Sequence, residues 1–369
     1  INLLTGILAK KLGAKKVIVR VNTMENLSKE NWRIYQDLGI DGIVSPEDIA
    51  AQEIINLLKQ NVATEAHDFA GGKLELLMIK LEPNAKAIGK TLEEVIENFK
   101  HIDFRALAIH RRQNTFIPKA HDVFLEGDLV YVITKPHAIK ELMQLSGKTK
   151  FNINNVMIVG GGRVGKMTAK RIENDLNIKI IEMDKERCSE LTNFLSDSLV
   201  INADARNVDL LEDEGIKEMD AFIAVTDNTE TNILTCLQAK SFGVKRTIAM
   251  VENIDYIDIS QNIGIDTIIN KKLIAASYMV RYTLGGNVSS LKCLSGIDAD
   301  IVEFVVRDGA TVTSKPINKL DMPEGTIIGG IIRGEDSYIA TGNFQIQAED
   351  RVVVLVLPKT IQEVERLFR

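Results

Sequence analysis

Residues Val156–Gly165 read VMIVGGGRVG and continue into KMTAKRIE. An apolar run leads to glycines at Gly160, Gly162 and Gly165, and a helix-like segment follows. A G-x-G-x-x-G turn between a strand and a helix brings backbone close to a pyrophosphate. Gly160 permits the tight turn, Gly162 admits the phosphates, and Gly165 lets helix and strand pack. The helix N-terminus contributes free N–H groups and a partial positive charge. A turn that merely packs would use the same residue types, so the surroundings decide.

Downstream, the chain alternates strand and helix patterns. Strands are expected at Val156–Val159, Lys179–Met183, Ser198–Asn202, Ala221–Val225, Arg246–Val251 and Thr267–Asn270. Helices are expected at Arg163–Glu173, Lys185–Leu195, Val208–Glu214 and Thr229–Phe242. The strands are short, apolar and almost free of charge, which suits a parallel sheet covered on both faces. Glu182 falls 182 − 160 = 22 positions after the first glycine. That is the distance expected of the carboxylate that grips ribose hydroxyls, and it disfavours a 2′-phosphate. Asp184 reads as the cap of the next helix. Asn202-Ala203-Asp204-Ala205 is either an adenine-side turn or a helix cap. Thr226, after the fourth strand, is placed to meet phosphate or ribose, while Asn228 or Thr229 caps the following helix.

The chain of 369 residues is 45% hydrophobic and 26% charged, an ordinary globular mixture. It contains a repeat. Asn2–Val21 matches Asn232–Val251 at an offset of 232 − 2 = 230, with nine of twenty positions identical. The match resumes at Leu38 against Ile263, LGID against IGID, an offset of 263 − 38 = 225. Gly127–Val132 pairs with Glu349–Val354, and Pro136 with Pro358, at an offset of 349 − 127 = 222. The order is therefore the end of one unit, a small domain, a complete unit and a second small domain. The first unit lacks the half that would hold its glycine loop, so a chain truncated at its front is expected. The helical segments Glu47–Gln60 and Lys272–Leu284 occupy matching places, with apolar residues able to pair with a second copy. In the small domains, strands are expected at Leu74–Leu81, Phe104–His110, Thr115–Pro118 and Leu129–Thr134, and at Ile301–Val306, Thr326–Arg333, Ser337–Ala340 and Arg351–Leu357.

The formal net charge of −6 gives no support to a general polyanion-binding surface, so no nucleic acid is expected. Three scattered cysteines without a CxxC pair argue against a disulfide framework and for a reducing compartment. No apolar run approaches the roughly 20 residues of a membrane span. His67, His101, His110, His121 and His137 all precede the glycine loop and read as surface or strand-end residues. No metal or nucleophile motif occurs, and no metal is expected. Cys188 and Cys236 read as packing residues, and the acids Glu212, Asp213, Glu214 and Glu218 as a solvated face. An NAD-dependent oxidoreductase is the alternative, but it lacks a plausible catalytic pair. A nucleotide-sensing scaffold without a membrane partner is the weaker third reading.

The segments IVGGGRVG (Ile158–Gly165), IIEMD (Ile180–Asp184), NADA (Asn202–Ala205) and AVTDNTETNIL (Ala224–Leu234) resemble the RCK (KTN) domain family. The tandem order is similar to the peripheral subunits of bacterial Trk potassium uptake systems. The resemblance implies Rossmann-like doubly wound parallel sheets, each followed by a small α+β RCK-C domain. The segments would be 1–61 (end of a first RCK-N domain), 66–147 (RCK-C), 152–271 (complete RCK-N) and 288–369 (RCK-C). It further implies a cytoplasmic regulatory subunit without chemistry of its own, peripheral at the inner face of the membrane. Such a subunit would assemble as a homo-oligomeric, tetrameric ring and gate an integral membrane potassium transporter. The ligand would be NAD(H) or ATP/ADP. Carried over by position, Gly160, Gly162, Arg163, Val164 and Gly165 would hold the phosphates, Glu182 the ribose, Asp204 and Ala205 the adenine side, and Thr226 a phosphate or ribose.

Overall fold

In the computed structural model, the structure describes residues 2–21, 29–59, 65–111, 114–147, 152–283, 288–294 and 299–369. The chain opens with α1 (Asn2–Lys11), β1 (Ile18–Arg20), α2 (Lys29–Asp37), β2 (Gly42–Val44) and α3 (Pro46–Lys59). The first small domain follows as β3 (Glu65–Phe69), β4 (Leu74–Lys80), α4 (Leu92–Asn98), β5 (Phe104–Arg111), β6 (Asn114–Phe116), β7 (Leu129–Thr134) and α5 (Ile139–Leu145). Next come β8 (Asn155–Val159), α6 (Arg163–Ile172), β9 (Asn177–Glu182), α7 (Lys185–Phe194), β10 (Ser198–Asn202) and α8 (Val208–Asp213). They are followed by β11 (Ala221–Ala224), α9 (Thr229–Ser241), β12 (Arg246–Met250), α10 (Asp255–Asn262), β13 (Thr267–Ile269) and α11 (Lys271–Thr283). The chain closes with β14 (Val288–Cys293), β15 (Asp300–Val305), β16 (Ile327–Arg333), β17 (Asp336–Ile339), β18 (Arg351–Val356) and α12 (Ile361–Leu367).

These elements form two compact units, residues 1–61 with 152–283, and residues 62–151 with 284–369. In the first, six parallel strands take the order β10-β9-β8-β11-β12-β13. This is the doubly wound order whose direction reverses between β8 and β11. Every residue of β11 and β12 is buried, as expected of central parallel strands packed by helices on both faces. α10 falls outside the expected elements. Its Tyr256, Ile257 and Ile259 favour strands, but Ile257 is buried as a helical residue.

The repeat recurs in hydrogen-bond register. Ile18 pairs with Gly42 as Ile248 pairs with Thr267, each position shifted by the sequence offsets. Lys10 meets Asp41 at 2.9 Å, as Lys240 meets Asp266 at 2.5 Å. Asp41 also accepts from the Val17 amide at 2.7 Å, and Asp266 from the Thr247 amide at 2.8 Å. α3 packs against both α6 and α11. Asp48 on α3, buried, accepts from the Arg171 guanidinium at the end of α6 at 3.0 Å and from the Ser45 hydroxyl at 2.6 Å.

The second unit holds two antiparallel five-stranded sheets of identical order, β3-β4-β7-β5-β6 and β14-β15-β18-β16-β17. The edge strands β3 and β14 fall outside the expected set. The register breaks at Leu107 in one sheet and at Gly329, 222 positions on, in the other. In each domain a bidentate pair ties the third sheet-forming strand to the turn before the last. Arg111 donates to both oxygens of Asp128 at 2.7 Å, and Arg333 to both oxygens of Asp350 at 2.8 Å. Asp128 and Asp350 also accept turn amides, from Leu125 and Gln347. Leu74, Leu107 and Ile133 from one sheet join Ile301, Ile332 and Val353 from the other in a shared core. Gly329 and Gly330 permit that approach, since a Cβ would lie 3.0 Å from Leu107 and 2.5 Å from Leu74.

Candidate functional site: a crevice at the carboxyl ends of the parallel strands

The glycine loop separates into residues the protein itself requires and one it does not. Gly160 has φ +101°, and a Cβ there would lie 2.8 Å from the Thr226 nitrogen. At Gly165 a Cβ would lie 2.0 Å from the Gly160 carbonyl oxygen. At Gly161 it would lie 2.3 Å from Leu191. Gly162 differs. Its φ of −61° suits any residue, and a Cβ there would meet nothing within 4 Å. Gly162 lines a cavity of about 390 Å³ and is the N-cap of α6, where it offers the first helical amides no side-chain acceptor.

The same cavity is lined by Gly160, Glu182, Asp204, Ala205 and Thr226, so the structure brings these expected residues together. Arg163, Val164 and Gly165 do not line it; Arg163 is exposed and the other two are buried in the first turn of α6. Glu182, at the end of β9, is only 7% exposed. Its carboxylate accepts from the Gly161 amide at 2.7 Å and the Asp184 amide at 2.8 Å, with the Arg187 guanidinium 3.5 Å away. It therefore fixes the glycine loop to the next strand.

Asp204 does not cap a helix. It accepts from the Arg206 amide at 2.9 Å and from its guanidinium at 2.6 Å, and Arg206 holds its carboxyl below the usual range. The cap of α8 is Asn207. Asp184 caps α7 and Asn228 caps α9, as the pattern expects. Cys188 and Cys236 are buried, and burial pushes both thiols up. His110 lies near a strand end but is buried, its Nδ1 2.9 Å from the Thr115 hydroxyl. Glu214 and Glu212 pair with Lys179 and Lys217. Among the described residues no group of three or more His, Cys, Asp or Glu is arranged to hold a metal.

Asn232 is the residue that the pattern alone did not single out. It is 1% exposed on the first turn of α9. Its Oδ1 accepts from the Thr226 amide at 2.9 Å and the Thr226 hydroxyl at 2.7 Å. Its Nδ2 donates to the Thr226 carbonyl at 2.9 Å and the Met250 carbonyl at 2.8 Å. The signal was present in the repeat, because Asn2 likewise donates to the Arg20 carbonyl at 2.9 Å. Arg187 and Arg206 also line the cavity and were not expected.

Fold and crevice define a Rossmann-type protein with an open glycine loop, joined to paired antiparallel modules. The TrkA-N domain family matches residues 156–271, and the TrkA-C domain family matches residues 76–147 and 301–369. The Trk system potassium uptake protein TrkA homolog 2 of Methanosarcina mazei is 32% identical over 335 residues, spanning 90% of this chain and 74% of the relative. The Trk system potassium uptake protein TrkA of Halomonas elongata is 28% identical over 356 residues, 95% of this chain and 78% of the relative. The GsuK RCK domain shares the fold with a TM-score of 0.55 at 17% identity, covering 99% of this chain and 78% of that one. The GsuK channel bound to NAD gives 0.54 at 16% identity, covering 99% and 65%. The chain belongs to the TrkA family of Trk system potassium uptake proteins. No helix among the described residues is long and apolar enough to cross a membrane.

Proposed function

We propose that the chain is the nucleotide-sensing regulatory subunit of a Trk-type potassium uptake system. An adenine nucleotide, NAD(H) or ATP/ADP, binds the crevice. Gly162 and the first amides of α6, those of Arg163, Val164 and Gly165, hold its phosphates. Glu182 holds its ribose, Asp204 and Ala205 border the adenine, and Thr226 meets phosphate or ribose. The single observation that carries the reading is Gly162, a glycine that neither backbone conformation nor the protein's own packing calls for. A ligand that needs the backbone within reach of its phosphates does call for it.

The chain has no chemistry of its own in this reading. Among the described residues no histidine lines the crevice, which supports a sensing role over an oxidoreductase. Residues 152–271 form the ligand-binding domain, 66–147 and 288–369 the paired modules, and 1–61 the C-terminal part of a second Rossmann domain, on the shared strand register. Acting in the cytoplasm at the inner face of the membrane, a homo-oligomeric ring would change the state of an integral membrane potassium transporter. It does so only if the ligand binds one arrangement of the ring more tightly than the other.

The test is calorimetric titration of the full chain with NAD, NADH, ATP and ADP, then potassium flux with the transporter reconstituted in vesicles. Saturable binding with a ligand-dependent flux is expected. Absence of binding, or steady reduction of NAD with a panel of substrates, contradicts the reading.

A further inference from the structure

The two small domains differ at one matched place in their cores. The Glu82 amide donates to the Ser146 carbonyl at 3.0 Å, and the Arg307 amide to the Phe368 carbonyl at 3.1 Å. Ser146 and Phe368, which end α5 and α12, are therefore equivalent positions. Ile79 pairs with Val130 in the first sheet as Phe304 pairs with Val352, 352 − 130 = 222 positions on, in the second. In the second domain the Phe304 and Phe368 rings are fully buried and stacked, with centroids 4.6 Å apart and planes at 13°. The first domain has Ile79 and Ser146 in their places.

A cavity of about 40 Å³ lies there, and both Ile79 and Ser146 line it. Phe104 and Phe124 also line it, where the second domain has Thr326 and Ile346 on the same offset, so they reoccupy part of the space. Ser146 is the one polar side chain in the lining. Its hydroxyl donates to the Met143 carbonyl at 2.7 Å and its amide to the Leu142 carbonyl at 3.2 Å, so neither donor is left for a guest. The space exceeds the ~10–15 Å³ that a water needs, but a water also needs two to four polar partners, which these walls do not supply. An apolar guest has no such requirement and gains dispersion contacts on every side.

We propose that the first small domain carries a site for a small apolar ligand of a few carbon atoms, in the place that the second domain fills with Phe304 and Phe368. An occupant touches Leu142 and Leu145 of α5 as well as Ile79 of β4, so it fastens the last helix of the domain to its sheet. Binding only to the folded domain, it stabilises that domain in step with its occupancy. The site shares no lining residue with the nucleotide crevice and does not rest on that reading.

The test is titration of the full chain with xenon and then cyclopropane, followed by the NMR shifts of labelled isoleucine, leucine and valine methyl groups. Shifts at Ile79, Val95, Leu142 and Leu145 should saturate with gas pressure, while Val352 and Val364 of the second domain should not respond. Ser146→Leu and Ala87→Val each add carbon to the wall and should weaken xenon binding about tenfold or abolish it. Ala87→Val is the smaller change and decides the matter if Ser146→Leu fails to fold. No saturable shift at the four methyl-bearing residues, equal shifts at Val352 and Val364, or undiminished xenon binding in Ala87→Val overturns the proposal.

Discussion

The Gly161 amide donates to the Glu182 carboxylate at 2.7 Å, joining the glycine loop to the end of the neighbouring strand. The carboxylate proposed to receive the ribose therefore also shapes the loop proposed to receive the phosphates. Glu182→Ala should lower adenine-nucleotide affinity by about tenfold and stability by about 1–3 kcal/mol, because the Gly161 and Asp184 amides lose a buried acceptor. Glu182→Gln keeps an acceptor and should recover more stability than affinity. Calorimetry and thermal melting separate the two effects, and unchanged affinity in both variants contradicts the ribose assignment.

Asn232 satisfies four bonds at the mouth of the crevice, and Asn2 satisfies one at the matching place. Asn232→Ala should cost about 2–4 kcal/mol and weaken nucleotide binding, since it strands the buried Met250 carbonyl and frees the Thr226 loop. Asn2→Ala, at an exposed position, should cost about 1 kcal/mol or less. Chemical denaturation measures both; equal costs would contradict the hub role of Asn232.

Gly127 (φ +80°) and Glu349 (φ +68°) hold the same left-handed turn position of the two small domains, 222 residues apart. Glycine takes that conformation without a Cβ penalty and glutamate does not. Glu349→Gly should therefore stabilise the protein by about 1 kcal/mol, and Gly127→Glu should destabilise it by a similar amount, read from denaturant midpoints. A destabilised Glu349→Gly variant would show that the glutamate is held by contacts worth more than the strain.

Glu173 is buried. Desolvation pushes its carboxyl up, but Lys170, the Asp197 and Ser196 amides and the Ser198 hydroxyl outweigh this and hold it below its ordinary value of 4.5. The folded pKa lies below the unfolded one, so below pH 4.5 the unfolded chain binds more protons. The stability from this group is present above pH 4.5 and is lost as pH falls through the folded pKa. Glu173→Gln should flatten the acid limb of a stability–pH curve in that window, and an unchanged limb would contradict the assignment.

The sheet of the first unit and its glycine loop were legible because a parallel sheet buries both faces and leaves continuous apolar runs, as in Val156–Val159 and Ala221–Ala224. The repeat was legible as identities and reappears as strand register and as the Lys10–Asp41 and Lys240–Asp266 pairs. β3 and β14 were not legible. They are edge strands carrying Glu65, His67 and Asp68 or Ser289, Ser290 and Lys292, and an edge strand needs no continuous apolar run. Asn232 escaped because its role is long-range, reaching 18 residues ahead to Met250, and local pattern carries no such partner.

The crevice around Gly162 is proposed as a nucleotide site. The direct measurement is melting temperature and adenine-nucleotide affinity of Gly162→Ala. A Cβ there meets no protein atom within 4 Å, so stability should fall by no more than about 1 kcal/mol, the difference between glycine and alanine at a helix N-cap. Affinity should fall by about tenfold or more, because the methyl group stands where the phosphates approach the backbone. An unchanged melting temperature with undiminished nucleotide binding would contradict the account.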